Sequence, residues 1–250
     1  MSEQDSLSDT NPVKREGFIR LALLGMVSTL ELATGPRGSD AMEAAGVSSA
    51  PYLVNFSDSR GLFSCQLPTS FLRAERNKDK RGTVFVAGDY NKAEIVSVQL
   101  LSASKLLSDA GIPPLGDLTT WKGVGSAERV AELLKARRDQ DAAGVTAQES
   151  EVIRGTASIK GDTLEFLLKS PIKVQRPDLL MEQRGVSELY RNTYARAIMR
   201  GDGTFFIVWA GALNTDWEGE DGAKDLLHGV VDSFQLEGMV VNGVRLGPAT

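Results

Sequence analysis

The only histidine of the chain, His228, lies in "AKDLLHGVVDSFQL", with Asp225 three residues before it and Asp232 four residues after it. On a helix those spacings bring the three side chains to one side, and two carboxylates with an imidazole are a donor set for a divalent cation. Just upstream, "DWEGEDG" supplies Asp216, Glu218, Glu220 and Asp221, the hard oxygen ligands that calcium takes. That stretch departs from an EF-hand loop. Its glycine comes one place late, at Gly222, and the twelfth position is Leu227 where a bidentate glutamate is needed. Acids ahead of a helix also complement its dipole, so a solvated polar face is the competing reading for both groups. The remaining chemistry is sparse. A lone cysteine, Cys65, excludes an internal disulfide, a zinc ribbon and a CxxC redox pair. There is no P-loop, no dinucleotide-type glycine run opening a helix and no GxSxG elbow, and nothing nominates a serine to work with His228. The chain is therefore expected not to be an enzyme.

The elements that would position these residues follow from periodicity. Ala223, Leu226, Leu227, Val230, Val231 and Phe234 recur at i, i+3, i+4, i+7, i+8 and i+11, an unbroken apolar stripe that predicts a packing helix with His228 on its wet side. From Tyr52 the chain alternates between apolar and polar residues, with glycine-rich breaks, as antiparallel strands do. "YLVNFSD" and "LFSCQLP" form the first pair, and Phe63, Cys65 and Leu67 share one face, making Cys65 a buried core thiol. "TVFVAGD" and "AEIVSVQLL" form the next. "SAERVAELLKARRDQDAAG" switches to helical spacing through Val130, Leu133 and Leu134, with Ser126 as N-cap. Its Lys135, Arg137 and Arg138 read as a solvated, dipole-complementing C-terminal end. Two further hairpins turn at Lys160-Gly161-Asp162 and at Gly201-Asp202-Gly203, where glycine and aspartate tolerate a tight turn. Between them "PIKVQRPDLLMEQRGVSEL" is long enough for a functional loop, or for one helical turn at Met181-Glu182-Gln183-Arg184.

Composition sets the class. The chain has 250 residues, 42% hydrophobic and 24% charged, as in ordinary globular proteins. With 28 basic and 33 acidic residues the net charge is -5, which leaves no basic surplus for phosphate backbones and argues against nucleic acid. The first forty residues differ from the rest. Lys14 and Arg15 precede the apolar run Leu21 to Leu30, and Ser39-Asp40-Ala41 offers a small-x-small cleavage site, the order of a targeting segment. An ordinary amphipathic helix is the alternative, favoured by Arg20 and Glu31 within the run. The expected organisation is a targeting segment at 1–41, a short arm at 42–50, one domain at 51–237 and a tail at 238–250. Cleavage would leave 24 basic and 27 acidic residues, a net charge of -3.

"YLVNFSDSRGLFSCQLPTSF", "IKGDTLEFLLKS", "YARAIMRGDGTFFIVWAGAL" and "LLHGVVDSFQL", in this order, resemble the PsbP family, the extrinsic thylakoid-lumen proteins of photosystem II and their PsbP-domain relatives. The landmarks are Asp58, Gly61, Phe63 and Pro68 in the opening hairpin and Trp217, Ser233 and Phe234 near the end. The resemblance spans roughly 51 to 237. It implies an α+β fold, an antiparallel β-sheet sandwiched between α-helices as in the PsbP-like α/β/α sandwich. It also implies a chloroplast thylakoid-lumen address, peripheral association with the membrane, and calcium binding. The departures are a short N-terminal arm, the absence of further histidines, Phe71 where the family usually has tryptophan, and a long connection from Pro171 to Val186. They point to a divergent PsbP-domain protein rather than the oxygen-evolving-complex subunit itself.

The expected function is accordingly that of a non-enzymatic extrinsic lumenal protein, bound to photosystem subunits as part of the oxygen-evolving complex or as an assembly factor. The alternative is a lumenal hydrolase or small-ligand binder working from the sheet face and the long loop. Partner-docking residues are expected in that loop, at Lys173, Arg176, Arg184 and Glu188, because connections on a packed scaffold are where binding residues concentrate.

Overall fold

Strand β10 (Thr204–Leu213, TFFIVWAGAL) is buried from Phe205 to Ala212 on both of its faces, so it must lie at the centre of the molecule with a layer on either side. A computed structural model of the chain describes residues 52–75, 79, 81–142, 149–218, 222–238, 240–241 and 244–245. The expected targeting segment and arm, 1–41 and 42–50, lie outside these residues. The elements are, in chain order, β1 (Leu53–Ser57), β2 (Phe63–Pro68), β3 (Leu72–Glu75), β4 (Thr83–Asp89), β5 (Glu94–Ser102), α1 (Ala103–Asp109), α2 (Trp121–Val124) and α3 (Ala127–Ala142). They continue with β6 (Glu151–Val152), β7 (Ser158–Lys160), β8 (Thr163–Ile172), α4 (Pro177–Arg184), β9 (Leu189–Met199), β10, α5 (Asn214–Trp217), α6 (Ala223–Asp232), β11 (Gln235–Leu236), β12 (Val240–Val241) and β13 (Val244–Arg245).

The main antiparallel sheet runs β3-β4-β5-β10-β9-β8-β6, with β7 also pairing β8. The hairpin β1–β2 and the short β11 form a second sheet, and β12 pairs β13. Alternation along β10 divides its side chains between two cores. Phe206, Val208, Ala210 and Ala212 face the first, closed by β1–β2 and α6. Phe205, Ile207 and Trp209 face the second, closed by α1, α2 and α3. The architecture is thus α+β, a sheet between helical layers, as the resemblance implies. No helix among the described residues is long and apolar enough to cross a membrane.

The expected pairs form in the expected places: β1 with β2, β4 with β5, β7 with β8 and β9 with β10. In α6, Ala223, Leu227, Val230 and Val231 are buried, as is Phe234 just after it. The helix α3 starts where Ser126 was expected to cap it, and Ser126 Oγ accepts the Arg129 N–H at 3.3 Å. Its basic residues do not form a solvated end. Lys135 is buried and paired with Glu132 and Glu149, each at 2.9 Å, and the Arg138 guanidinium lies over the Trp209 ring, 4.9 Å from its centroid. The physical reason is registration, since Val130, Leu134 and Arg138 follow one another at i+4 on the stripe that faces the sheet.

Candidate docking surface

The landmark residues of the resemblance turn out to be the joints of the first core. The Asp58 carboxylate, with none of its side chain exposed, accepts the Arg60 N–H at 3.0 Å and binds the Arg60 guanidinium at 2.6 Å, while that guanidinium also donates to Val84 O at 3.1 Å. This fixes the turn between β1 and β2 and ties it to the main sheet. Phe63 packs on Phe234 with ring centroids 5.3 Å apart. Ser233 Oγ accepts the Gln66 N–H at 2.8 Å and donates to Val230 O at 2.8 Å, so the end of α6 is fastened to β2. Cys65 lies in the same core, and burial pushes its thiol up to about 12 against the weaker pull of Arg73, which makes it inert as a nucleophile. Phe71 is buried there too.

His228 is on the wet side of α6, 52% exposed, as its helical spacing predicts. Its ring packs at a 58° tilt against Tyr194, centroids 4.8 Å apart, and Nδ1 is 3.1 Å from Asp232 Oδ2. Asp232 also faces Arg196, whose Nη1 is 3.8 Å from the carboxylate and donates to the carbonyls of Val231 and Asp232 at the end of α6, where a cation complements the dipole. Glu218 accepts from Lys224 at 3.1 Å, and Asp216 lies 3.9 Å from Arg184. Of the candidate ligands, Asp216, Glu218 and Asp232 are therefore set against side-chain cations, which oppose a second positive charge. Asp225 is exposed one turn before His228, and Glu220 and Asp221 lie outside the described residues. Among the described residues no group of three or more His, Cys, Asp or Glu side chains is placed to hold a metal ion. The described acids do not fit a calcium site; they form an ion-paired surface.

That surface continues into the connection between β8 and β9, which is not an open loop. Pro177 opens α4 with a preset φ, and Gly185, at φ 70°, ends it with its N–H on Met181 O at 2.9 Å. The helical alternative read at 181–184 is thus realised over eight residues. Arg176 binds Asp178 at 2.7 Å in the first turn, and that hydrogen bond holds the Asp178 carboxyl below its ordinary range. Lys173 and Glu188 are exposed at either end. Asn214 of α5 donates to Glu188 O at 3.2 Å and accepts the Tyr190 N–H at 3.1 Å. Together with the Arg184 to Asp216 contact, this joins the loop and the acidic edge into one face. Leu179 and Met181 stand exposed on α4 amid these charges. Two residues apart on a helix, these side chains point to different sides, so each is a single apolar contact among charges, the methionine adaptable in shape. The sequence places the two charged groups separately, and only the fold shows that they adjoin. The exposed pair Leu179 and Met181 was legible as apolar residues two apart on a charged turn.

No protein-family profile matches the chain, and no curated protein matches it in sequence. Solved structures are similar to it in fold. The solution structure of cyanobacterial PsbP (CyanoP) from Synechocystis is 17% identical at a TM-score of 0.49, covering 81% of this chain and 99% of that one. The Ran-binding protein Mog1p of Saccharomyces cerevisiae is 13% identical at 0.44, covering 74% and 96%. LpqN, described as involved in cell envelope biogenesis of Mycobacterium tuberculosis, is 10% identical at 0.35, covering 76% and 92%.

Proposed function

We propose that this protein is a non-enzymatic, PsbP-like extrinsic protein of the thylakoid lumen that docks on photosystem subunits through the face built by α4, α5 and the start of α6. The observation that carries the reading is the convergence of Asp58 and Phe63 with Ser233 and Phe234, two pairs far apart in sequence, into one set of joints between hairpin, sheet and last helix. The residues on which the resemblance rests build the scaffold; of the departures, Phe71 lies in the core while others fall on the surface a partner would meet. Chief among these is the long β8–β9 connection, carrying Lys173, Arg176, Arg184 and Glu188. Its exposed charges steer and orient a partner and are screened by salt, so attachment to the membrane is peripheral.

The experiment is affinity capture of the tagged protein from solubilised thylakoids, with the double variant Arg176→Glu, Arg184→Glu beside it across a salt series. Photosystem subunits should co-purify with the native chain at low salt, fall away as salt rises, and be lost with the double variant. Capture of no photosystem subunit would refute the photosystem reading. Undiminished capture by a correctly folded double variant, checked by circular dichroism, would remove this face from the interface.

A further inference from the structure

The second face of the main sheet contains what the first does not, two half-buried arginines with one neighbouring carboxylate between them and no ion pair to either. Arg138 descends from α3 onto the Trp209 ring, yet its Nη1 is buried with no hydrogen-bond partner. A cation lying over a ring uses the face of the guanidinium, which leaves the N–H groups along its edge unengaged. The adjacent carboxylate, Asp139, turns its two oxygens to Ser150, accepting the N–H at 3.0 Å and the hydroxyl at 2.7 Å, so it offsets the charge of Arg138 only in part and makes no hydrogen bond to it. Arg191 projects to the same side of the sheet from β9, in register with Leu213. Its Nη1 donates to Ala93 O at 2.7 Å and Gly211 O at 3.1 Å. Those carbonyls anchor the guanidinium but do not cancel its charge. On the same face of β9, two residues from Arg191, Thr193 lies opposite Gly211 in the ladder, one same-face pair along from the Ala195–Trp209 pair on which Arg138 rests; it is only 1% exposed and its Oγ1 also lacks a partner. Glycine is required at 211, because a Cβ there would stand 2.6 Å from that hydroxyl.

We infer that the cradle between the last turns of α3 and strands β9 and β10 binds one compact oxyanion, a phosphate or a carboxylate, held by the guanidiniums of Arg138 and Arg191 and the hydroxyl of Thr193. Buried charge is costly unless it is paired, and buried polar atoms in native proteins nearly always have partners. Water would satisfy the unpartnered Nη1 and Oγ1 but would leave both positive charges in place; an oxyanion meets both needs. Guanidinium geometry favours oxyanions further, since its planar fork matches two oxygens of a carboxylate or phosphate. The local field agrees: burial and the proximity of Arg191 pull Arg138 down to about 10 against a weaker opposing effect of Asp139, and burial lowers Arg191 as well. None of these residues belongs to the docking face, so the site stands or falls independently of the proposed function.

The test uses the full chain, titrated separately with sodium phosphate and sodium acetate at constant ionic strength made up with sodium chloride. Two readouts are followed, the thermal unfolding midpoint and the indole N–H resonance of Trp209, which is assigned with Trp209→Phe and hydrogen-bonds Gln99 at 2.9 Å. One oxyanion per chain should shift the resonance saturably and raise the midpoint progressively with its concentration. The anion that saturates first distinguishes the phosphate from the carboxylate source. Thr193→Val, nearly isosteric, should weaken binding about tenfold, the effect of one hydrogen bond to a charged group, and Arg138→Met should abolish the response. A resonance unmoved by either salt to tens of millimolar would overturn the site. So would an equal response in native protein and Thr193→Val, a comparison that stands even where the arginine variant fails to fold.

Discussion

The two faces of the main sheet are both buried and yet are built differently. Beneath the β1–β2 hairpin and α6, the sheet meets Phe63, Phe85, Leu227 and Phe234, and the buried ionisable side chains there are acids: Asp58, which is paired, and Glu94 at the start of β5. Beneath α3 the packing is as apolar near Trp121 and Phe205 but ends in Lys135, which Glu132 and Glu149 pair, and in the half-buried Arg138 and Arg191, which have no ion-pair partner among the described residues. A face that carries only packing is specified by hydrophobic pattern and tolerates no loss of volume. A face that holds unpaired charge has been kept from optimal stability, and such sites are where binding is to be sought.

The largest expected effect tests that contrast directly. Phe234→Ala, by emptying the ring contact with Phe63, should cost roughly 3–5 kcal/mol in chemical denaturation. Arg138→Met, without added oxyanion, should cost nothing and raise the melting temperature, because replacing a half-buried charge that lacks an ion pair by an apolar chain of similar reach is neutral or stabilising. Similar losses for the two would mean that the faces do not differ in kind.

A smaller effect concerns Glu94. Burial raises its carboxyl pKa, with Lys92 opposing and Asp89 and Asp216 adding to the rise. The folded chain therefore holds this proton more tightly than the unfolded one. The resulting stability is complete below the ordinary carboxylate range and is lost as pH rises through the elevated folded value. Relative to native protein, Glu94→Gln should gain stability between about pH 4 and neutrality, measured as melting temperature against pH. A difference independent of pH would show that Glu94 is not protonated by its surroundings. Smallest of all is His228→Ala, expected within about 0.5 kcal/mol as for most surface changes. A loss approaching that of Phe234→Ala would place the histidine in the packing of the first face.

The first face was the legible one. A period of 3.6 in α6 and a period of 2 in β2 named its core residues directly, because packing follows pattern. The helices α1 and α2 and the edge strand β3 were not read: α1 and α2 run seven and four residues and β3 four, too short for periodicity to register. On the second face the signal was present but masked by residue type. Arg138 continues the stripe of Val130 and Leu134, and Arg191 and Thr193 share parity with Ala195 and Ala197 in β9. Arginine suggests solvent, and only contact with Trp209 reveals otherwise. Of the docking face, its charges were legible, but the approach of Arg184 to Asp216 depends on how α4 and α5 settle against one another.

Strand β10 pairs with β5 across about a hundred residues of chain, Val98 against Val208, and with β9 through a tight hairpin, Phe205 against Met199. Among the described strands of the main sheet, the β5–β10 ladder is the one that joins those of the N-terminal half to those of the C-terminal half. Local hairpins can form as the polypeptide emerges, but this closure must wait until residue 213 is available, and closing so long a loop is slow. Until then β5 and β9 each present an unprotected edge of the kind that recruits other chains into aggregates. A truncation before Thr204 should accordingly yield not a smaller soluble domain but two half-sheets that need a chaperone.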